Sequence, residues 1–301
     1  MTILVAAAFD ADEWRTWWPL LEAALPAERL VRDLSEGDPS EIDIALVANP
    51  PSGALRGLPA LKLIQSLWAG VDSLLADASV PAQVPLARMV DPAMNRSMAE
   101  TALWAVMSMQ RGFFDYAKQQ RAGEWRQHAL RHADELSVAI LGLGQMGSAV
   151  ANVLTQHGYR VAGWRTRDGA EALPSVLASA DIVINLLPLT PATRDLFSTA
   201  TFARMRRGAS LVNLARGAHV VDADLLAALA SGQLAHAVLD VFHTEPLPPR
   251  HPFWAHPRVT VLPHVAAPTD PRRAAPIAAA NVLALRGGRP IAHLVSRERG
   301  Y

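Results

Sequence analysis

The chain has 301 residues, half of them hydrophobic, with Lys+Arg and Asp+Glu balanced at 28 each. That length points to about two domains and allows a sizeable core without help from metals or disulfides. The absence of cysteine excludes a disulfide framework, thiolate chemistry and cysteine-ligated zinc or iron–sulfur, and the balanced charge gives no electrostatic reason to expect nucleic acid or a membrane as partner.

The N-terminus, Met1 to Val5, has no basic run and meets Asp10, Asp12 and Glu13 too early for a secretory signal. No apolar stretch approaches the ~20 residues of a membrane span, so a cytoplasmic protein is expected. Ile3 to Ala8 reads as a buried strand, and Asp10 as the cap of a helix through Trp14, Trp17 and Leu21, with Pro19 limiting its regularity. Further strands are expected at Ile42 to Val47, Leu61 to Leu67 and Pro85 to Val90. The third of these four strands runs into Trp68-Ala69-Gly70-Val71-Asp72, a turn followed by a short helix. Alternating strand and helix makes this first stretch a small α/β domain with a parallel sheet.

Asp91-Pro92 is a natural boundary. From Met94 to about Trp125, Met94, Met98, Ala102, Ala105 and Met109 fall on one stripe, which predicts a long helix. Phe113, Phe114, Tyr116 and Trp125 extend its apolar surface, as an interaction arm or as core.

Ser137 to Leu141 is an apolar, strand-like run that breaks into Gly142-x-Gly144-x-x-Gly147, with a helix-compatible segment following at once. Strand, glycine turn and helix is the context in which this spacing binds a dinucleotide. The first glycine permits the tight turn, the second lets a pyrophosphate reach the backbone and the third lets the helix pack closely, its amides aimed at the phosphates. Tyr159–Trp164, Asp181–Pro188, Ser210–Leu214, Ala237–Val241 and Val259–Leu262 continue a second, larger doubly wound unit, with a helix capped by Asp222. Beyond Asp270-Pro271 an Ala-rich helix is expected to Leu285, kinked or delayed by Pro276.

About twenty residues past the glycines, NAD-binding units place a carboxylate for the ribose hydroxyl. Here that place reads Trp164-Arg165-Thr166-Arg167. Two guanidiniums flanking a hydroxyl suit the 2′-phosphate of NADP, with NAD(H) the weaker guest.

Three ionisable residues lie at or shortly after the carboxyl ends of successive strands: Arg216, Glu245 and His264. Those ends open on the ligand crevice of a doubly wound sheet. Together they suit reduction of a 2-keto acid. The arginine holds the carboxylate and polarises the keto oxygen, and the histidine gives that oxygen a proton. The glutamate orients the imidazole and raises its pKa. His128 and His132, four residues apart, resemble a helical metal pair, but with no third ligand evident no metal is expected.

These motifs, with Leu186-Leu187-Pro188-Leu189-Thr190-Pro191, Asn213-Leu214-Ala215-Arg216-Gly217, Leu239-Asp240-Val241-Phe242 and Pro263-His264, come in the order of the D-isomer-specific 2-hydroxyacid dehydrogenases, which the chain resembles over nearly its whole length. Within that family it is most similar to the bacterial glyoxylate/hydroxypyruvate reductase branch, through Glu245-Pro246-Leu247-Pro248, His256-Pro257-Arg258-Val259-Thr260, Pro263-His264-Val265-Ala266-Ala267 and the terminal Arg299-Gly300-Tyr301.

The resemblance implies two doubly wound parallel-sheet α/β domains, with a Rossmann cofactor domain (93–269) inserted in a discontinuous substrate domain (1–92 plus 270–301). It implies Arg216, Glu245 and His264 as the catalytic set, and Trp68, Ala69, Gly70, Val71 and Arg216 around the substrate. It also implies a cofactor site of Gly142, Gly144, Gln145, Met146, Gly147, Arg165, Thr166, Arg167, Leu187, Pro188, Thr193, Leu214, Ala215, Arg216, Asp240 and His264. Family dimers pair through the helical arm, here about residues 94–125, so a homodimer is implied. Trp68 departs from the family's small residue before Ala-Gly-Val-Asp; its indole either narrows the pocket or turns into the domain interface. His128 stands near where relatives send a side chain into the neighbouring subunit's site, and is equally readable as surface.

The expected activity is NADPH-preferring reduction of glyoxylate to glycolate and of hydroxypyruvate to D-glycerate. The competing readings are a D-2-hydroxyacid dehydrogenase for larger 2-keto acids such as phenylpyruvate, and a dinucleotide-sensing corepressor or binding module.

Overall fold

Two parallel sheets organise the chain in a computed structural model that describes residues 2–300; Met1, and Tyr301 at the end of the terminal run, lie outside the described residues. In chain order, β1 (Thr2–Ala7), α1 (Ala11–Ala24), β2 (Arg29–Val31), β3 (Ile42–Ala48), β4 (Leu63–Ser66), α2 (Asp72–Ala76) and β5 (Leu86–Ala87) come first. They are followed by α3 (Pro92–Gln110), α4 (Phe113–Ala122), β6 (Ser137–Leu141), α5 (Gln145–Gln156), β7 (Arg160–Trp164), α6 (Leu173–Ser179), β8 (Ile182–Asn185), α7 (Thr199–Arg204) and β9 (Ala209–Asn213). The last elements are α8 (Asp222–Ala230), β10 (Leu234–Leu239), β11 (Val259–Val261) and α9 (Pro271–Arg286). The chain divides into one unit of Met1–Pro92 with Thr269–Tyr301 and a second of Ala93–Pro268.

The first unit carries the sheet β2-β1-β3-β4-β5. β3 is buried along its whole length, as expected of a parallel strand covered on both faces. Asp10 caps α1 through a full capping box with Glu13, and the helix runs through Pro19. The returning tail closes this unit. α9 lays Ala274, Ala275, Ala278 and Ala279 against the core, and the tail beyond it bridges β5 antiparallel at Ala87 and Leu294. Asn281 reaches the buried Gln65 amide at 2.7 Å.

The second unit carries β11-β10-β9-β8-β6-β7. Strand order reverses at β6, with β7 on one side and β8 on the other, so the glycine turn after β6 lies at the topological switch point where open α/β sheets bind ligands.

Several elements differ from the sequence reading. The helix expected over 94–125 is two helices, because Gly112 adopts a left-handed conformation (φ 66°) and starts α4 afresh. Trp125 lies beyond α4 and is 96 % exposed. α3 buries Met94, Met98, Ala102 and Ala105, whereas Trp104, Met107 and Phe113 remain exposed. Pro276 neither delays nor ends α9, which begins at Pro271 behind the Asp270 cap; its missing N–H forfeits one helical bond. Asp222 is the first residue of α8 rather than its cap. Its carboxylate faces His251 at 3.3 Å instead. The segment bearing His128 and His132 is not helical, so the four-residue spacing does not align their rings; His128 packs on Tyr116. The three-residue strand β2 was too short for a pattern to reveal.

The tail is anchored by charge as well as by packing. Arg286 pairs with Glu28 at 2.7 Å and, through a second nitrogen, with the buried Asp43 at 2.9 Å. Removing the guanidinium strands a buried carboxylate. Arg286→Ala should therefore cost about 3 kcal/mol of stability in urea unfolding, whereas Lys62→Ala, which removes only an exposed lysine from the same carboxylate, should cost less than about 1 kcal/mol. Equal small losses would show that Asp43 does not depend on Arg286.

Candidate active site

β6 delivers the chain to Gly142, which sits at φ +101° with its Cα hydrogen against the Leu186–Leu187 backbone; a Cβ there would lie 2.5 Å from the Leu186 carbonyl oxygen. A Cβ on Gly147 would lie 1.9 Å from the Gly142 oxygen, so α5 rests directly on the turn. Gly144 is different: a Cβ on it would meet nothing within 4 Å. Protein packing does not require that glycine, whereas a ligand lying on the backbone would. The amides of Gln145, Met146 and Gly147 lie ahead of the first helical hydrogen bond, from Ser148 to the Gly144 oxygen (2.9 Å), and have no protein acceptor among the described residues. They form an anion cradle at the head of a twelve-residue helix.

At the end of β7, Arg165 opens a short turn in which Asp168 accepts the Arg165 amide at 2.8 Å. Asp168 thus shapes the turn, and no ion pair joins it to either guanidinium among the described residues. Thr166 and Arg167 are exposed. The Arg165 Nε is buried without a hydrogen-bond partner. A buried guanidinium donor left unpaired is costly, and an anionic guest at this strand end would satisfy it. The residues present therefore fit a dinucleotide with a charged group at its ribose.

The loop after β8 is tied down internally. Thr193 is buried; its hydroxyl donates to the Pro188 carbonyl at 2.7 Å and accepts the Thr190 amide at 2.8 Å. Leu187 donates its amide to the Asn185 side chain at 3.2 Å. At the end of β9, Leu214 and Ala215 are buried, and Arg216 emerges in extended conformation with its Nη1 on the Ala215 carbonyl at 2.7 Å. Gly217 is required here, because a Cβ would lie 1.9 Å from the Phe242 carbonyl carbon. That contact presses the Arg216 loop onto the loop that carries Glu245.

Glu245 accepts the Phe242 amide with one oxygen (2.8 Å) and holds His264 Nδ1 with the other (2.6 Å). His264 stands at φ 55°, a conformation costly for a non-glycine residue. Asp240 stabilises it: the His264 amide donates to the Asp240 carbonyl at 2.9 Å, and the buried carboxylate accepts the Val265 and Ala266 amides at 2.7 and 3.0 Å. Glu245 engages Nδ1, so Nε2 is the ring nitrogen it does not use. The hydrogen bond that His264 donates to Glu245 raises the imidazole pKa, outweighing burial and the repulsion of Arg216. Burial pulls Glu245 upward, but His264 and the Phe242 amide outweigh it and keep the carboxylate ionised. Burial likewise raises Asp240 against its two amide donors.

In the first unit, the Trp68 indole packs edge-on against Trp17 (5.6 Å) and Phe9 (6.1 Å). Its backbone is pinned by Ser66 and by Met89, whose amide donates to the Trp68 carbonyl at 3.0 Å. The amides of Ala69, Gly70 and Val71 have no acceptor among the described residues, as suits a loop that takes a carboxylate.

Three buried side chains at or beyond the strand ends are given no role by the sequence reading: Asn185, Asn213 (which opens the Arg216 motif) and His219, each 0 % exposed and hydrogen-bonded in series. The signal for the two asparagines is that each closes one of two neighbouring, mostly aliphatic strands.

The family model for the D-isomer specific 2-hydroxyacid dehydrogenase NAD binding domain matches residues 103–266. A glyoxylate/hydroxypyruvate reductase A of Serratia proteamaculans is 42% identical, with 97% of each chain covered. A D-isomer specific 2-hydroxyacid dehydrogenase of Xanthobacter autotrophicus Py2, solved with NADPH and MES, superposes with a TM-score of 0.91 at 40% identity, covering 99% of this chain and 100% of that one. An NADPH-dependent glyoxylate/hydroxypyruvate reductase of Sinorhizobium meliloti, solved with NADP and sulfate, gives a TM-score of 0.91 at 31% identity, covering 100% and 99%. By the family model, the identity to these relatives and the shared architecture, the chain belongs to the D-isomer-specific 2-hydroxyacid dehydrogenase family, in its glyoxylate/hydroxypyruvate reductase branch.

Proposed function

We propose that this enzyme is an NADPH-preferring reductase of small 2-keto acids, turning glyoxylate into glycolate and hydroxypyruvate into D-glycerate. The observation that carries the reading is the His264–Glu245 hydrogen bond at the strand ends of a dinucleotide-binding sheet, within the electrostatic reach of Arg216. The NADPH- and NADP-bound relatives and the orphaned Arg165 Nε support the choice of cofactor.

Gly142, Gly144, Gly147 and the amides that follow would hold the pyrophosphate, Arg165, Thr166 and Arg167 the 2′-phosphate, and the backbone from Leu187 to Pro188 and Leu214 to Ala215 the rest of the dinucleotide. Bound NADPH supplies the hydride. Arg216 holds the keto oxygen as negative charge builds on it. His264 passes its Nε2 proton to that oxygen, so hydride and proton together make the alcohol. Glu245 keeps the ring aimed and charged beforehand and offsets the charge of Arg216 beside it. His264 then recovers a proton from solvent, to which it is exposed.

We also infer a cytoplasmic homodimer without membrane or nucleic-acid partners, pairing over residues 94–125. Exposed Trp104, Met107, Phe113 and Trp125 there support that reading. No described helix is long and apolar enough to cross a membrane.

The direct test is NADPH oxidation by purified protein with glyoxylate, hydroxypyruvate and phenylpyruvate. Turnover should favour the first two; none with any 2-keto acid would defeat the assignment. Arg216→Ala should lower kcat/KM for glyoxylate on the order of a hundredfold to a thousandfold, the effect of losing an oxyanion donor. A variant keeping half its efficiency would remove Arg216 from the chemistry. Because reduction needs charged His264, the rate should be full below its raised pKa and fall as pH rises through it. Glu245→Gln withdraws the cause of that rise, so the fall should move to lower pH; an unmoved profile would contradict the pairing. Arg165→Ala with Arg167→Ala should weaken NADPH by roughly tenfold or more while leaving NADH nearly unchanged. Equal losses for the two cofactors would dismiss the phosphate contact.

A further inference from the structure

The buried series Asn185, Asn213 and His219 lies under the loop that presents Arg216, and its hydrogen-bond directions can be derived without choice. The Ala215 N–H can only donate and the Arg216 C=O can only accept, so Asn213 turns Oδ1 to the former (3.3 Å) and Nδ2 to the latter (2.9 Å). The Leu187 N–H fixes Asn185 Oδ1 in the same way. Asn185 Nδ2 therefore donates both to Asn213 Oδ1 (3.0 Å) and to His219 Nδ1 (2.9 Å). His219 Nδ1 must be an acceptor, so the ring carries its proton on Nε2, which faces the Pro188 carbonyl at 3.3 Å. The His219 backbone N–H reaches the same Arg216 carbonyl at 3.3 Å, and its own carbonyl accepts the Phe197 amide at 2.8 Å.

We propose that His219 is a positioning residue for Arg216: as a neutral imidazole it locks, through Asn185 and Asn213, the backbone that aims the guanidinium, and ties it to the Pro188 loop. Loss of the imidazole leaves one Asn185 donor hydrogen and the Pro188 side of the loop without their bridge. Asn213 and the His219 backbone N–H still hold the Arg216 carbonyl, but Asn213 is then backed by an Asn185 whose second N–H has lost its acceptor, so the restraint on the Arg216 backbone loosens. This inference rests on Arg216 acting as proposed above.

The test is a double-mutant cycle on kcat/KM for glyoxylate with His219→Leu and Arg216→Ala. His219→Leu alone should lose about tenfold to a hundredfold, the scale expected for a misplaced reacting group, with NADPH binding by fluorescence changed by less than about threefold. In the Arg216→Ala background the same change should cost less than about twofold, because the residue it positions is gone. His219→Asn, which can keep an acceptor toward Asn185, should recover part of the loss. An equal loss in both backgrounds, or none in either, overturns the proposal. If Arg216→Ala alone is harmless, the functional reading fails first and the positioning role falls with it. Should His219→Leu not fold, Asn185→Ala opens the same series and the same cycle decides.

Discussion

A parallel sheet covered on both faces leaves polar side chains one outlet, the ends of its strands. β6, β8, β9 and β10 are almost wholly aliphatic and buried until their last residues. There the side chains change character within one or two positions: Gly142 after β6, Asn185 closing β8, Asn213 closing β9 and Asp240 just after β10. The two asparagines hydrogen-bond the backbone of the loop that follows their own strand, and Asp240 that of the loop after the neighbouring strand β11. Asn185 accepts the Leu187 amide, Asn213 serves Ala215 and Arg216, and Asp240 accepts Val265 and Ala266. The side chains proposed to do the chemistry stand one step further out, on loops whose backbones are already fixed, which is how a site on loops attains the precision of one on strands.

Close backbone approach supplies the second restraint. At Gly147 and Gly217 a single methyl group would overlap a neighbouring carbonyl, so helix α5 and the Arg216 loop sit at distances no other residue permits. Gly144 has no such conflict. Its place in the motif is accounted for by what would lie on it rather than by what packs against it. The same sequence pattern thus contains two glycines required by the fold and one left to the ligand.

The parallel architecture, the glycine turn and the strands that lead to Arg216 and His264 were legible because each rests on a local pattern: an aliphatic run, a breaker, then a polar residue. What escaped notice depends on three-dimensional company. Gly112 looks like a tolerated helix glycine until its backbone turns left-handed, and Pro276 looks disruptive although α9 continues through it at the loss of one hydrogen bond. Trp68 reads as a pocket residue or an interface residue; in its own unit it is the edge of an aromatic cluster with Phe9 and Trp17. His219 lies three residues from Arg216 and shows no motif of its own, since its partners come from strands more than thirty positions away in the case of Asn185.

Ten histidines share one side chain and part company through their surroundings. His264 is exposed, opposite a carboxylate, and a charge gains there more than burial takes away. His236 is sealed against the Phe114 ring at 4.3 Å with Lys118 nearby, and burial, then that charge, push its pKa down to about 4. His219 is enclosed between an amide that can only donate and a carbonyl that can only accept, which leaves room for one proton on a fixed nitrogen. The proton donor proposed for His264 must change its charge during turnover, and the strut proposed for His219 must not. The fold separates these duties by placing a carboxylate beside the first ring and an asparagine beside the last.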